Sequence, residues 1–285
     1  MNKAIKMGIM AILAFALAPS ITHATEEGLK EARNRIDSSY DELLSLAGDS
    51  DLNPISNSTE DNEAKVLIIK SVVKDAINLS IQEVVALKKD METLPQFSAK
   101  SREQELKSVF AEELSTFAQF YNIKMKELNR IGTLEDGRAL AEEIITYREK
   151  SYNPRISQLL EFLLLFYNEN VIKTAEEKTE RISKDVEKLE KLGFLKTDSF
   201  LKDFDTIASL INQAYELKNQ AKIFIINPAL KLNVSDLSEK SKEKEDVTHI
   251  PEPRLLMEDS LGKIKIVYDI FIDVSKSIRK TLGLK

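Results

Sequence analysis

The residue spacing that comes closest to a chemical site lies between Asp49 and Glu60. Asp49, Asp51 and Asn53 occupy positions 1, 3 and 5 of a calcium-binding loop, and Glu60 occupies position 12. Oxygen ligands at these spacings surround Ca²⁺ between two helices. Position 6 is Pro54, however, where the turn needs a positive φ that proline cannot adopt. A polar capping loop is therefore the favoured interpretation, and a calcium site is the alternative.

Few other residues could do chemistry. The chain has no Cys and two His, of which His23 lies in a predicted signal peptide and His249 in a polar linker. His-rich zinc sites and Glu-x-x-His di-iron sites need more than one histidine, and a Ser-His-Asp triad needs a histidine in a folded site and not in a polar linker. Adjacent glutamates, such as Glu112-Glu113 and Glu142-Glu143, are typical of solvated helix faces. We therefore expect no catalytic residue, cofactor or metal, and predict that the protein is not an enzyme.

The densest apolar stretch suggests a contact site instead. Its members, called here the apolar belt, are Leu159, Leu160, Phe162, Leu163, Leu164, Phe166 and Tyr167. Apolar residues on every side of a helix indicate burial, or contact with a partner or lipid. A belt of about nine residues is too short to span a membrane as a helix. Burial is the favoured interpretation, and a partner surface, a bound apolar ligand and lipid insertion are the alternatives.

A long helix is predicted to carry this belt. Asn153 is placed to cap it and Pro154 to occupy its first position, and no Gly or Pro follows until Gly193. These limits give a helix of about 39 residues, roughly 58 Å long. Its second half narrows to an apolar seam among dense charges, formed by Ala175, Thr179, Ile182, Val186 and Leu189. Such a seam favours a coiled-coil-like hairpin with the next helix; a protein-docking tip is the alternative.

The remaining segments also have helical periodicity. Further helices are predicted at Glu26–Ala47, Glu63–Leu94, Ser98–Ile131, Leu134–Lys150, Asp198–Ile226 and Arg254–Leu282. A second apolar row on the Glu63–Leu94 helix (Ile68, Val72, Leu79) predicts burial on two sides, and Met125 is assigned to the core row of the next helix. The fold class is therefore all-α: an elongated, antiparallel, up-and-down bundle of six or seven long helices with coiled-coil-like segments.

The chain divides into four predicted parts. Residues 1–24 have a basic start, an apolar core and small residues before a cleavage point after Ala24, as in a secretory signal peptide. Residues 25–226 form the helical bundle. Residues 227–253, charged and proline-containing, form a linker or crossover. Residues 254–285 form a C-terminal helix that packs back on the bundle.

The composition limits the classes of function that the sequence favours. The net charge of −6 becomes −8 without Lys3 and Lys6, with 39 basic against 47 acidic residues, which argues against nucleic acid as a partner. We expect an exported bacterial protein, in the periplasm, at the cell surface or extracellular, that acts through contacts with an unidentified protein partner or with itself. We expect no stable transmembrane insertion. The alternatives are a binding protein that holds an apolar ligand or lipid between helices, and a membrane-active helical protein.

Overall fold

A computed structural model describes residues 59–196, 198–227 and 252–283. These residues are almost entirely helical and contain no strand, which confirms the predicted all-α class. In chain order the helices are α1 (Thr59–Thr93), α2 (Arg102–Leu128), α3 (Leu134–Tyr147), α4 (Asn153–Lys191), α5 (Asp198–Ile226) and α6 (Pro253–Thr281). The described residues fall into two compact units, 59–160 and 161–283.

Short polar and glycine signals set the helix ends. The side chain of Ser101 accepts a hydrogen bond from the Gln104 N–H at the start of α2, and Thr133 does the same for Asp136 at the start of α3. Helix α4 ends at Gly193, whose φ of 72° is the left-handed conformation that favours glycine. The N–H of Phe194 donates to the Leu189 carbonyl at 2.9 Å, which completes a Schellman-type stop. The predicted stop at Gly193 is confirmed.

The α-helical segment does begin at Asn153 and has 39 residues, as predicted, but the predicted N-cap role of Asn153 is wrong. Asn153 has φ −57° and ψ −43°, so it is a helical residue and not an extended N-cap. A π-helical turn, Arg148–Tyr152, joins α3 to α4 without a break, and the Asn153 N–H donates to the Arg148 carbonyl five residues back. The wider turn places Pro154, which has no N–H to donate, where a regular i→i−4 bond is not required.

In the unit of residues 59–160, α1, α2 and α3 pack around a core of large apolar side chains. Gly137 brings α3 close to α1, because a Cβ at that position would lie 2.7 Å from Cγ2 of Ile69. The Lys107 Nζ of α2 donates to the Leu94 carbonyl at 3.2 Å, next to the C-terminal end of α1. This bond satisfies a carbonyl that helix α1 cannot satisfy itself.

In the unit of residues 161–283, α4, α5 and α6 share one core. Its first cluster joins Ile172 and Ala175 to residues of both other helices, namely Ile207, Ile211, Ala214, Ile264, Val267 and Phe271. A second cluster includes Val186 and Leu189 of α4 with Phe200, Val274 and Ile278. The apolar seam predicted on α4 therefore packs against α5 and α6.

Two predicted core assignments need correction. Met125 is only half-buried, and Lys124 is the buried residue one position earlier. In the second apolar row of α1, Val72 and Leu79 are half-buried while Ile68 is 56% exposed, so that side of the helix is not fully covered.

Several predicted features lie outside the described residues. They are the signal peptide 1–24, the first helix Glu26–Ala47, most of the polar loop that follows it, and linker residues 228–251 with His249. The predicted division into parts therefore stays a prediction.

Candidate functional site

The apolar belt is covered in part by other residues of the protein. Leu159, Phe162 and Phe166 are buried, and Leu160, Leu163, Leu164 and Tyr167 are half-buried. No member of the belt is exposed. The rings of Phe162 and Phe166 pack edge to face with centroids 5.0 Å apart. Three of the seven belt residues thus have the burial of core residues, and the other four keep part of their surface exposed.

The π-helical turn carries a buried cation. Arg148 is almost fully buried, and its Nη1 donates to the Ser80 hydroxyl at 3.3 Å. Its Nη2 lies 3.2 Å from Oε2 of Glu83, also on α1, and its guanidinium stacks 4.9 Å from the Tyr152 ring centroid. Because a buried charge is costly without a partner, these contacts are needed to stabilise the Arg148 guanidinium in the core.

Aromatic rings surround this ion pair. Tyr152 is fully buried, and its ring centroid lies 4.9 Å from Phe117 and 5.8 Å from Tyr121. Burial, and secondarily the nearby carboxylate of Glu83, raise the pKa of the Tyr152 phenol far above its usual value. Tyr152 therefore stays neutral across the physiological pH range and acts as a packing residue.

A second buried cation lies on α2. The Lys124 Nζ donates to Glu127 at 2.8 Å and to Glu143 of α3 at 2.6 Å. Desolvation lowers the pKa of this ammonium, but the hydrogen bonds to Glu127 and Glu143 more than offset it, so the pKa is raised. Lys124 thus stays charged and joins α2 to α3.

The unit of residues 161–283 contains a buried polar layer. The Asn168 amide of α4 donates to the Met257 carbonyl of α6 at 3.1 Å. The Ser260 hydroxyl lies 3.0 Å from Asn168 Oδ1 and 2.9 Å from the Ala214 carbonyl of α5. One turn further along α5, the buried Lys218 Nζ contacts Glu169 at 3.2 Å. This layer ties the three helices together at one level.

An open groove follows the surface between α4 and α5. It has a volume of about 470 Å³, and its carbon-rich wall is formed by Phe204, Ala208 and Ile211 of α5. On the α4 side its small residues are Thr179 and Ser183, and its charged residues are Glu176, Glu180, Lys184 and Glu187. Lys184 is paired with Glu180, and Glu176 accepts a hydrogen bond from Tyr215 at 3.0 Å. The groove is thus apolar in its wall and net acidic along one rim.

The calcium hypothesis stays open. Asp49, Asp51 and Asn53 lie outside the described residues, and the backbone of Glu60 belongs to α1. Among the described residues no group of three or more Asp, Glu or His has a metal-binding arrangement. None of the helices in the described ranges is long and apolar enough to cross a membrane.

Sequence reasoning missed the buried polar residues. Lys124 lies between Tyr121 and Leu128 on the core face of its helix, so helical phase alone could have placed it there. Arg148 and Asn168 also lie in phase with buried apolar residues of their helices, but their partners come from distant parts of the chain and could not be predicted. These residues stabilise the helix packing, and none of them lines the groove between α4 and α5.

Comparisons of the chain with protein-family models, with curated proteins and with solved structures find no match.

Proposed function

We propose that this is an exported, non-enzymatic helical-bundle protein that acts by protein–protein contact in the bacterial periplasm or at the cell surface. The proposed architecture is an antiparallel bundle of six or seven helices with coiled-coil-like segments. The observation that carries the proposal is the groove between α4 and α5, which combines an apolar wall with an acidic rim.

The shape of the groove favours a helix as its occupant. A helix has a diameter of about 10 Å with its side chains, and amphipathic helices bind by laying their apolar face into such grooves. The small side chains of Thr179, Ser183 and Ala208 leave room along the groove for a partner's larger residues. The half-buried Phe204 offers carbon surface for that contact, whereas Ile211 is 4% exposed and belongs mainly to the core.

The charge of the rim favours a basic partner. Glu176, Glu180 and Glu187 line the groove with only Lys184 of opposite sign. Opposite charges across a rim raise the association rate and select the partner, more than they raise the affinity. The occupant we propose is therefore an amphipathic partner helix with Lys or Arg beside its apolar stripe.

Site-specific photocrosslinking in the cells that make the protein tests this proposal. A photoreactive phenylalanine analogue replaces Ala208, which lines the groove, or Ser209, an exposed neighbour that does not. We expect a discrete protein adduct from position 208 and none from 209. The adduct should diminish several-fold in Glu187→Lys and persist in Glu177→Lys, which changes the same charge outside the groove. Equal adducts from both positions, or none from either, would contradict the proposal.

Export has its own test. The mature protein should begin at Thr25 and be recovered outside the cytoplasm, because cleavage is predicted after Ala24. An N-terminus at Met1 in a cytoplasmic fraction would refute this part of the proposal.

The two alternative functions have less support. The apolar belt does not line the groove between α4 and α5, so no observation favours an apolar ligand held by the belt. Three belt residues are buried and none is classed as exposed, so the belt offers lipid only the half-buried side chains of the other four.

A further inference from the structure

The outer face of α1 has large apolar side chains that the described residues leave open. Leu67 is 67% exposed and Val85 is 59% exposed, although both lie on a helix whose opposite face is buried. A second groove, of about 320 Å³, begins at this face. It is lined by Leu67, Lys70, Ser71 and Lys74 of α1 and by Leu128 and Asn129 at the end of α2. Its charged residues are both basic.

We propose that residues 26–47 of this same chain form an amphipathic helix that packs along this face of α1, with its apolar stripe on the groove. The stripe is Leu29, Ala32, Ile36, Tyr40, Leu43 and Ala47, with steps of three and four residues. Such a stripe covers one side only, so the helix is stable only when that side is buried. This interaction lies in another part of the chain from the groove of the proposed function and does not depend on it.

The length of residues 26–47 and their position in the chain match the open face of α1. Residues 26–47 span about 33 Å as a helix, and α1 from Thr59 to Val85 spans about 39 Å. Only residues 48–58 separate the two, so the segment reaches α1 at a high effective concentration. A short connection favours an antiparallel return, which brings Ile36 to the level of Ser71.

The charges are complementary. Residues 26–47 contain six acidic and three basic side chains. The groove offers Lys70 and Lys74, with no acidic residue in its lining. A net-negative helix on this face places opposite charges together, whereas a second positive surface would be repelled.

Disulfide trapping tests the proposal. Because the chain has no native cysteine, only the two introduced cysteines can form a disulfide within it. The mature chain with Ile36→Cys and Ser71→Cys is oxidised at low protein concentration. We expect rapid intramolecular disulfide formation, seen as a mobility shift that reductant reverses. Two control pairs should form the disulfide at least tenfold more slowly. In the first, Asn34→Cys with Ser71→Cys, residue 34 lies on the opposite side of the segment. In the second, Ile36→Cys with Ala86→Cys, residue 86 lies about 22 Å beyond Ser71 along α1.

Hydrogen exchange of the mature chain gives an independent readout. Amides of residues 29–47 should be protected at least tenfold, and Leu67→Glu with Lys70→Glu should remove that protection while α2 and α3 keep theirs. Leu67 is exposed, so the variant is expected to fold. Lys89→Glu, one turn beyond Val85 on the same helix, makes the same change of charge as Lys70→Glu outside the groove and should have little effect. Absence of protection in the wild type, or disulfides that form only between two chains, would overturn the proposal.

Discussion

Replacing Gly137 by Ala tests the close approach of α3 to α1. In an open helix position this substitution stabilises by about 1 kcal/mol, because Ala loses less conformational entropy. Here the new Cβ would lie 2.7 Å from Cγ2 of Ile69, well inside the 3.5–4.0 Å of an ordinary carbon contact. Cγ2 is attached directly to the branched Cβ, so it has little freedom to move away. Overpacking of this kind costs about 1–3 kcal/mol. We therefore expect a net destabilisation of up to about 2 kcal/mol.

Gly262→Ala is the matched control. Gly262 lies within α6 and a Cβ there would meet nothing within 4 Å, so this change should stabilise by about 1 kcal/mol. Native-state hydrogen exchange of α3 and of α6 reports the free energy of opening for each helix separately. If Gly137→Ala stabilises α3 as much as Gly262→Ala stabilises α6, the argument from the close approach is refuted.

Three further predictions concern the buried polar groups and one hydrogen bond. Glu83→Gln leaves the buried Arg148 without its counter-charge and should cost about 3 kcal/mol of unfolding free energy in urea; a cost below about 1 kcal/mol would show that the pair contributes little. Asn168→Leu removes the donor to the Met257 carbonyl and should cost about 2 kcal/mol in the same assay, and an unchanged midpoint would contradict the role of the polar layer. Desolvation and the Glu176 carboxylate raise the pKa of Tyr215 to about 12, above its usual value of about 10. The protonated phenol therefore contributes fully to stability below pH 10, and this contribution is lost as the pH rises to 12. A phenolate absorbance titration should show this late step in the wild type and not in Tyr215→Phe.

Helical periodicity was sufficient to predict most of the described helices. The limits of α5 were predicted to the residue, and those of α1, α4 and α6 differ from prediction by no more than four residues. Apolar stripes and glycine stops are local signals, so one sequence contains them in full. The stop at Gly193 succeeded for this reason, since only its own backbone conformation decides it.

The polar part of the interior could not be predicted in the same way. Glu83 and Arg148, or Asn168 and Ser260, are far apart in sequence and meet only after the helices pack. The groove between α4 and α5 is also a product of packing, although the charges around the predicted seam did point to that region. Proline is common at the first position of a helix, so Pro154 predicted an N-cap at Asn153. In the structure a π-helical turn precedes Asn153, and the sequence carried no signal for that turn.

The π-helical turn Arg148–Tyr152 makes the number of residues between α3 and α4 critical. Buried positions recur every four residues at Ile144, Arg148, Tyr152 and Ile156. Four residues of a regular α-helix advance about 40° beyond a full turn, so three such steps would rotate the buried face by about 120°. The extra residue in Arg148–Tyr152 absorbs this rotation and keeps both sides of the junction in phase. Loss of any one residue there would turn Ile156 and Leu159 by about 100° relative to the other core residues of the unit 59–160. Substitutions at exposed positions such as Glu149 should be accepted, whereas single-residue deletions should not.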